Sequence, residues 1–226
     1  MKKVKDVCVI IQARLGSQRV PAKMTKCFAG TTLTDIALSK IKQCNFFSSE
    51  DFYLSAWEPE LRNIATSHGL NIFKRSEKSA KSEGTPMTEM YEWWNRLPYK
   101  YCVLINACAP FLKPETIDGF VEAYIKTDSD GMFGVIEKKN YFWQEDGTII
   151  TPLTEAVMNT KTAAIVYEAA HCLYAGKMSE IGKGIWMGDF NEPGSIELYP
   201  MDEQEVFDID YPWQFELAES LWSKKV

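Results

Sequence analysis

Short runs of β-branched and aromatic residues alternate along the chain with segments whose apolar residues recur every three or four positions. The short runs predict strands at 7–13, 51–56, 70–74, 101–107, 132–137, 172–175 and 196–199. The other segments predict helices at 33–44, 59–69, 86–96, 114–126 and 212–222, several of which begin with proline. This alternation predicts an α/β fold, with a mostly parallel sheet and helices on both faces.

The pattern changes after Gly131. Residues 141–150 predict a hairpin that turns at Asp146-Gly147, and residues 151–170 follow no clear period. With 226 residues, of which 46% are hydrophobic, the chain can bury one sizeable core. We therefore predict a single domain, 1–226, in which 138–170 forms an excursion that serves as a lid or a dimerisation arm.

Composition excludes several classes of function. The net charge of −6 argues against bulk binding to nucleic acid or anionic lipid, and no apolar run approaches the roughly 18–20 residues that span a bilayer. Six cysteines without a CxxC pair indicate a reduced, cytoplasmic protein. Two histidines leave little room for histidine-based zinc sites or triads, so carboxylates, basic side chains and the backbone must carry any chemistry.

The loop after the first predicted strand concentrates positive charge. Ligands of open α/β sheets bind beyond the carboxyl ends of the strands, which is where this loop lies. Between positions 14 and 26 it carries Arg14, Gly16, Ser17, Arg19, Lys23 and Lys26. Arginine forks, lysine charges and accessible backbone N–H groups suit a polyphosphate, although the loop matches neither GxxxxGK[ST] nor GxGxxG. The alternative interpretation is a solvated basic loop.

An acidic counterpart lies near the other end of the chain, in the segment EVFDIDYPWQ. Asp208 and Asp210 are separated by one residue, so in extended backbone their carboxylates point the same way. Such oxygen ligands suit Mg²⁺ that also binds substrate phosphates. The alternative interpretation places Asp210 at the start of the last helix, where the helix dipole favours an acid.

The stretch ARLGSQRVPAK resembles the A-R-x-G-S-x-R-x-P-x-K signature of the sugar cytidylyltransferases. These enzymes make CMP-sialic acid, related CMP-nonulosonates and, more distantly, CMP-Kdo, and spore-coat-polysaccharide-type nucleotidyltransferases have a similar opening. The segment that contains Asp208 and Asp210 is similar to the family's I-D-I-D-T-P-x-D-L metal motif. The resemblance implies a Rossmann-like (GT-A-like) fold, and a cytoplasmic, Mg²⁺-dependent, homodimeric enzyme that joins CTP to a sugar and releases pyrophosphate.

The resemblance also implies roles for individual residues. It assigns the nucleotide and its phosphates to Ala13, Arg14, Leu15, Gly16, Ser17, Arg19, Lys23, Arg75 and Asn106. It implies catalytic roles for Arg14, Lys23 and Asp210, Mg²⁺ binding by Asp208 and Asp210, and substrate contacts from Asn106, Ala170 and His171. The partners that it implies are CTP or another nucleoside triphosphate, a small sugar and a second copy of the chain, with neither nucleic acid nor membrane.

Several positions depart from the family pattern. Leu54-Ser55-Ala56 lacks the acid that usually ends the second strand, Ala107-Cys108-Ala109 replaces Pro-Thr-Ser, and Ala170-His171 replaces Asn-Gly. Three hypotheses therefore stay open. The first is a cytidylyltransferase for an acidic, nonulosonate-like sugar of surface glycans such as lipopolysaccharide or capsule. The second is a nucleotidyltransferase for another base or acceptor, such as a phospho-sugar, polyol or phosphonate. The third is a non-catalytic nucleotide-sugar-binding protein.

Overall fold

A computed structural model describes residues 2–81, 84–152 and 159–224. Its strands are β1 Val7–Gln12, β2 Phe52–Ala56, β3 Asn71–Lys74, β4 Tyr101–Ile105, β5 Gly131–Lys138, β6 Val166–Lys177 and β7 Ile196–Pro200. Its helices are α1 Leu33–Ile41, α2 Pro59–His68, α3 Glu77–Ala80, α4 Met87–Met90, α5 Pro114–Lys126, α6 Met178–Ile181 and α7 Pro212–Trp222. None of the helices in these ranges is both long enough and apolar enough to cross a bilayer.

The strands form one sheet in the order β3-β2-β1-β4-β6-β5-β7. The pairs β3–β2, β2–β1, β1–β4 and β5–β7 are parallel, whereas β6 runs antiparallel to both β4 and β5. The predicted α/β class with a mostly parallel sheet is therefore confirmed. Because β1 and β4 are parallel neighbours, the loops that follow them meet at one edge of the sheet.

Hydrophobic side chains pack on both faces of the sheet. Val9 and Ile11 of β1 belong to a large cluster with residues of α1, α5 and α7, whereas Cys8 and Ile10 belong to a second cluster around Trp93. Successive residues of a strand point to opposite faces, and a strand buried on both faces reads as the continuous apolar run seen here. The two-layer covering fixes β1 in the centre of the molecule, with its carboxyl end open to solvent.

The helix predicted at 86–96 is interrupted, so this prediction was wrong. The structure has the short helix α4 and then a 3₁₀-helix, Glu92–Asn95, with Tyr91 between them at φ −106° and ψ 41°. Thr85 directly precedes Pro86, which predicts that Thr85 is the N-cap of this helix, but its hydroxyl donates to the carbonyl of Lys81 at 3.1 Å. The break coincides with burial of Trp93 in the second cluster, where tertiary packing outweighs helical propensity.

The last helix also differs from prediction on one face. The apolar spacing in 212–222 predicts that Leu217, Ala218, Leu221 and Trp222 face the core, but Leu217 and Leu221 are 43% and 41% exposed. Ala218 is buried as predicted, and Phe215 is buried as well, in an edge-to-face contact with Phe28 at 5.3 Å between ring centroids. The aromatic pair sets the rotation of α7 about its axis, which the spacing of leucines alone did not predict.

The excursion at 138–170 contains the predicted turn and the start of β6, which begins earlier than predicted. Residues 142–150 form the predicted hairpin, in which the N–H of Ile150 donates to the carbonyl of Phe142 at 2.7 Å and Gly147 has φ 85°. Strand β6 begins at Val166, well before the predicted 172. The sequence did not predict this start, because an irregularity in the pairing opposite Phe133 and Val135 interrupts the alternation of side chains along β6. Residues 153–158 of the excursion lie outside the described residues.

Candidate active site

Two adjoining cavities open at the carboxyl edge of β1 and β4. The first has a volume of about 420 Å³ and the second of about 320 Å³. They share three residues as a common wall, namely Gln12, Arg14 and Asn106. A ligand that occupies both cavities would therefore cross the ends of β1 and β4.

The basic loop and the acidic segment meet in the first cavity. Ser17, Arg19 and Lys23 line it together with Asp210 from the other end of the chain. The guanidinium of Arg19 lies 2.8 Å from Oδ1 of Asp210, and the Lys23 ammonium lies 3.5 Å from the same oxygen. The structure thus brings together residues that the sequence singled out independently and that are almost the whole chain apart.

Not every predicted loop residue reaches this cavity. Ala13 lines it, whereas Leu15 and Gly16 are absent from its wall. Lys26 is exposed and absent from the cavity wall, and its ammonium lies 4.5 Å from the ring centroid of Phe215. Of the basic residues in the loop, Arg14, Arg19 and Lys23 are therefore the ones placed to bind an anion.

A carboxylate from the neighbouring strand end holds the loop in place. Oε1 of Glu58 accepts the backbone N–H of Leu15 at 2.8 Å, and the N–H of Ala13 donates to the carbonyl of Ser55 at 3.0 Å. Glu58 follows β2 by two residues, close to where the family's usual acid is missing. No sequence pattern singles out Glu58, because a residue directly before a helix-starting proline is typical of an N-cap; in the structure its side chain makes no cap hydrogen bond.

Asp208 and Asp210 differ in their surroundings. Burial raises the pKa of Asp208, the charge of Asp210 raises it further, and Lys23 opposes both effects. Oδ1 of Asp208 accepts a hydrogen bond from the Asn106 amide at 3.3 Å. In the described part of the chain, the hydrogen bond to Asp208 and the ion pairs of Asp210 all use Oδ1. Two such carboxylates match the ligand set that Mg²⁺ uses when phosphates and water complete its coordination.

The acidic segment is fixed by the chain on both sides of it. The N–H of Ile209 donates to the carbonyl of Cys108 at 3.0 Å, and the Lys23 ammonium donates to the carbonyl of Ile209. Lys23, which is only 7% exposed, thereby ties the basic loop to the acidic segment. Within the described ranges no group of three or more potential metal ligands occurs. A metal ion bound by these two carboxylates would therefore take its remaining ligands from substrate and water.

Asn106 connects three parts of the site. Its amide donates to the carbonyl of His171 at 2.9 Å and to Asp208, and its side-chain oxygen accepts the N–H of Cys108 at 2.9 Å. His171 adopts φ 54° at the irregular part of β6, and Ala170 is 3% exposed. Ala170 and His171, which were predicted to contact the substrate, line neither cavity. Their link to the site is the hydrogen bond from Asn106 to the His171 carbonyl.

The second cavity contains a buried arginine among aromatic side chains. Arg75 is 3% exposed, and its guanidinium donates from Nε to the hydroxyl of Ser79 at 3.0 Å and from Nη2 to the Ser79 carbonyl. Burial lowers the pKa of Arg75 to about 10, and Glu58 and Glu92 oppose this effect, so the side chain stays charged at neutral pH. Tyr91 and Tyr174 complete a wall suited to a polar ligand with a flat face.

A model of the family described as Cytidylyltransferase matches residues 8–224, and the chain belongs to this family. N-acylneuraminate cytidylyltransferase A of Danio rerio is 27% identical over 146 residues, which cover 64% of this chain and 33% of that protein. Spore coat polysaccharide biosynthesis protein SpsF of Bacillus subtilis (strain 168) is 26% identical over 133 residues, 55% of this chain and 52% of that protein. These matches span about a third to a half of the relatives' own length.

Solved structures show the same fold at low sequence identity. A CMP:2-keto-3-deoxy-manno-octonic acid synthetase complexed with CTP superposes with a TM-score of 0.72 at 11% identity, covering 97% of this chain and 99% of that one. The 4-diphosphocytidyl-2C-methyl-D-erythritol synthase of Anaerococcus prevotii gives a TM-score of 0.69 at 14% identity, with the same coverage. At these identities the likeness concerns the fold alone.

Proposed function

We propose that the protein is a cytoplasmic, Mg²⁺-dependent cytidylyltransferase that transfers CMP from CTP to an acidic, nonulosonate-like sugar destined for surface glycans. Membership of the cytidylyltransferase family supports the reaction type. The observation that carries the proposal is the meeting of Arg14, Arg19 and Lys23 with Asp210 in one cavity. It pairs a polyphosphate site with a carboxylate suited to the accompanying metal.

In the proposed reaction a hydroxyl oxygen of the acceptor attacks the α-phosphorus of CTP. A new O–P bond forms, the bond from the α-phosphorus to the bridging oxygen breaks, pyrophosphate leaves, and the hydroxyl proton passes to solvent. The triphosphate would lie in the first cavity, where Arg14 and Lys23 neutralise the charge that develops on the leaving group. The remainder of the nucleotide would cross the common wall toward Arg75 in the second cavity.

Asp210 and Asp208 would hold Mg²⁺, which supplies charge neutralisation at the phosphates. Arg19 and Lys23 already counter the charge of Asp210, and these same cations face the proposed triphosphate site. Phosphate oxygens would therefore compete with Asp210 for Arg19. Arg19 is suited to such an exchange because its side chain is 52% exposed.

The test measures pyrophosphate release with CTP, UTP, ATP or GTP, each with and without Mg²⁺. The acceptors are sialic acid, Kdo, a phospho-sugar, a polyol phosphate and a phosphonate. We expect release with CTP and an acidic keto sugar, only when Mg²⁺ is present. Turnover with a different base or acceptor class would replace the proposed substrate, whereas CTP binding without any turnover would favour a non-catalytic binding protein.

A further inference from the structure

Gln12 lies where the two cavities join. It is the last residue of β1, two residues after Ile10 and four after Cys8. Its side chain therefore extends from the same face of the sheet as theirs, the face of the second hydrophobic cluster. It lines both cavities, as Arg14 and Asn106 do. In Asn106 both the side-chain NH₂ group and the side-chain oxygen already make hydrogen bonds within the protein. In Gln12 only the side-chain oxygen makes a hydrogen bond to a described residue.

The side-chain oxygen of Gln12 is held by a buried tryptophan. The indole N–H of Trp93 donates to Oε1 of Gln12 at 2.9 Å. Trp93 is fully buried and packs against Tyr91 and Trp186, with ring centroids 5.4 and 5.8 Å away. An indole N–H can only donate, so the oxygen of the amide must face Trp93 and the NH₂ group must lie on the other side. The hydrogen-bond network thus assigns the orientation of this amide.

The hydrogen bond from Trp93 uses Oε1 of Gln12, and no hydrogen bond among the described residues uses its NH₂ group. Since Oε1 faces the tryptophan cluster and Gln12 lines both cavities, the two N–H donors of Nε2 face the space where a ligand would lie. Arg14 borders the same space, which favours a ligand that is anionic at this point. In the opposite orientation of the Gln12 amide, Oε1 would face the ligand and the NH₂ group would face the indole N–H of Trp93. Two donors would then oppose each other, so Trp93 excludes this orientation.

We propose that Gln12 contacts the nucleotide at the junction of the two cavities, and that Trp93 is a positioning residue that keeps the amide donors turned toward it. The inference rests on the proposed function, because it requires a nucleotide that crosses the common wall. Neither residue belongs to the basic loop or the acidic segment. Their contact joins two parts of the chain that are 81 residues apart.

The first experiment measures the Kd of CTP with Mg²⁺ by calorimetry for Gln12→Met and Gln12→Glu. Gln12→Met removes the donors at similar size, and we expect about tenfold weaker binding. Gln12→Glu keeps an acceptor for Trp93 but turns an anionic oxygen toward the ligand, so its loss should be larger still. Gln204→Glu makes the same change of charge at an exposed position and serves as the matched control.

The second experiment separates positioning from a purely structural role of Trp93. Trp93→Phe is introduced into the wild-type protein and into the Gln12→Met variant. If Trp93 acts through Gln12, the change should weaken CTP binding about threefold in the wild type and leave the affinity of the Gln12→Met background unchanged. An equal loss in both backgrounds would overturn the positioning role, and thermal unfolding without ligand checks that each variant folds.

The outcomes distinguish this inference from the function on which it rests. Unchanged CTP affinity in Gln12→Met, with normal binding by the wild type, would overturn the contact and leave the proposed function intact. A wild-type protein that binds no nucleoside triphosphate would overturn both. Should Trp93→Phe fail to fold, the two Gln12 variants still decide the contact, because neither change removes a core side chain.

Discussion

Lys23 illustrates how closely the two halves of the site are connected. Its ammonium donates to the carbonyl of Ile209 and lies 3.5 Å from Asp210, while its side chain is almost buried. A buried cation needs such partners, because desolvation of an unpaired charge is costly. Lys23 therefore both assembles the site and contributes charge to it.

Asp210→Asn tests the acidic half. The change keeps the size of the side chain but removes the charge that would hold Mg²⁺, and we expect kcat to fall at least about a hundredfold. Steady-state pyrophosphate release across a range of Mg²⁺ concentrations measures the effect. Asp146→Asn is the matched control, because Asn is equally suited to the hairpin turn before Gly147. Retention of full Mg²⁺-dependent activity in Asp210→Asn would exclude this residue as a metal ligand.

Glu58→Ala tests how the basic loop is held. Loss of the acceptor leaves the N–H of Leu15 without its partner, at a cost of about 1–2 kcal/mol. We expect the KM for CTP to rise roughly 5- to 30-fold, and kcat to change less. Glu58→Gln keeps an acceptor oxygen and should have a smaller effect. An unchanged KM in Glu58→Ala would show that the loop holds its shape without this contact.

At the level of elements, strands were predicted better than the short helices around 77–96. The helix predicted at 86–96 is interrupted at Tyr91, because burial of Trp93 against Trp186 requires the chain to change direction there. The spacing of apolar residues along the sequence does not indicate such a change. The early start of β6 was missed for a related reason, since extra residues opposite Phe133 and Val135 break the alternation by which strands are recognised.

The irregular part of β6 yields a stability prediction. His171 has φ 54°, a region that β-branched residues rarely adopt, so His171→Val should lower the free energy of unfolding by about 1–2 kcal/mol. His171→Asn should be tolerated, because Asn adopts this conformation readily. Urea denaturation measures both variants. Equal stability of the two would mean that the backbone at 171 carries no strain.

At the level of the whole molecule, burial predicts which thiols react. Cys8, Cys102 and Cys172 are fully buried, and burial raises the pKa of Cys108 to about 11 and that of Cys44 to about 12. At pH 8 only about one in a thousand Cys108 side chains would be thiolate. We expect a thiol reagent to label the exposed Cys27 rapidly and the other five slowly. Several fast-reacting thiols in the folded protein would contradict this.

We also propose that the molecule is a homodimer joined through the 138–170 excursion. This excursion exposes Trp143 by 51%, Ile150 by 52% and Ile165 by 44%, an apolar surface of the kind that partners cover. Light scattering after size-exclusion chromatography should give about twice 25.8 kDa. Trp143→Ser combined with Ile150→Ser should give the monomer mass, whereas the control Phe190→Ser, in a different loop, should not. A monomeric wild type would refute the proposal.

The sequence by itself determined the α/β alternation, the basic loop at one strand end and the paired aspartates, because each is a pattern among residues close together in the chain. Only the tertiary structure decided that Glu58 holds Leu15 across 43 residues and that Trp93 orients Gln12 across 81. Such contacts depend on strand order and on the register of the sheet. Those features arise from packing of the whole core, so no local pattern encodes them.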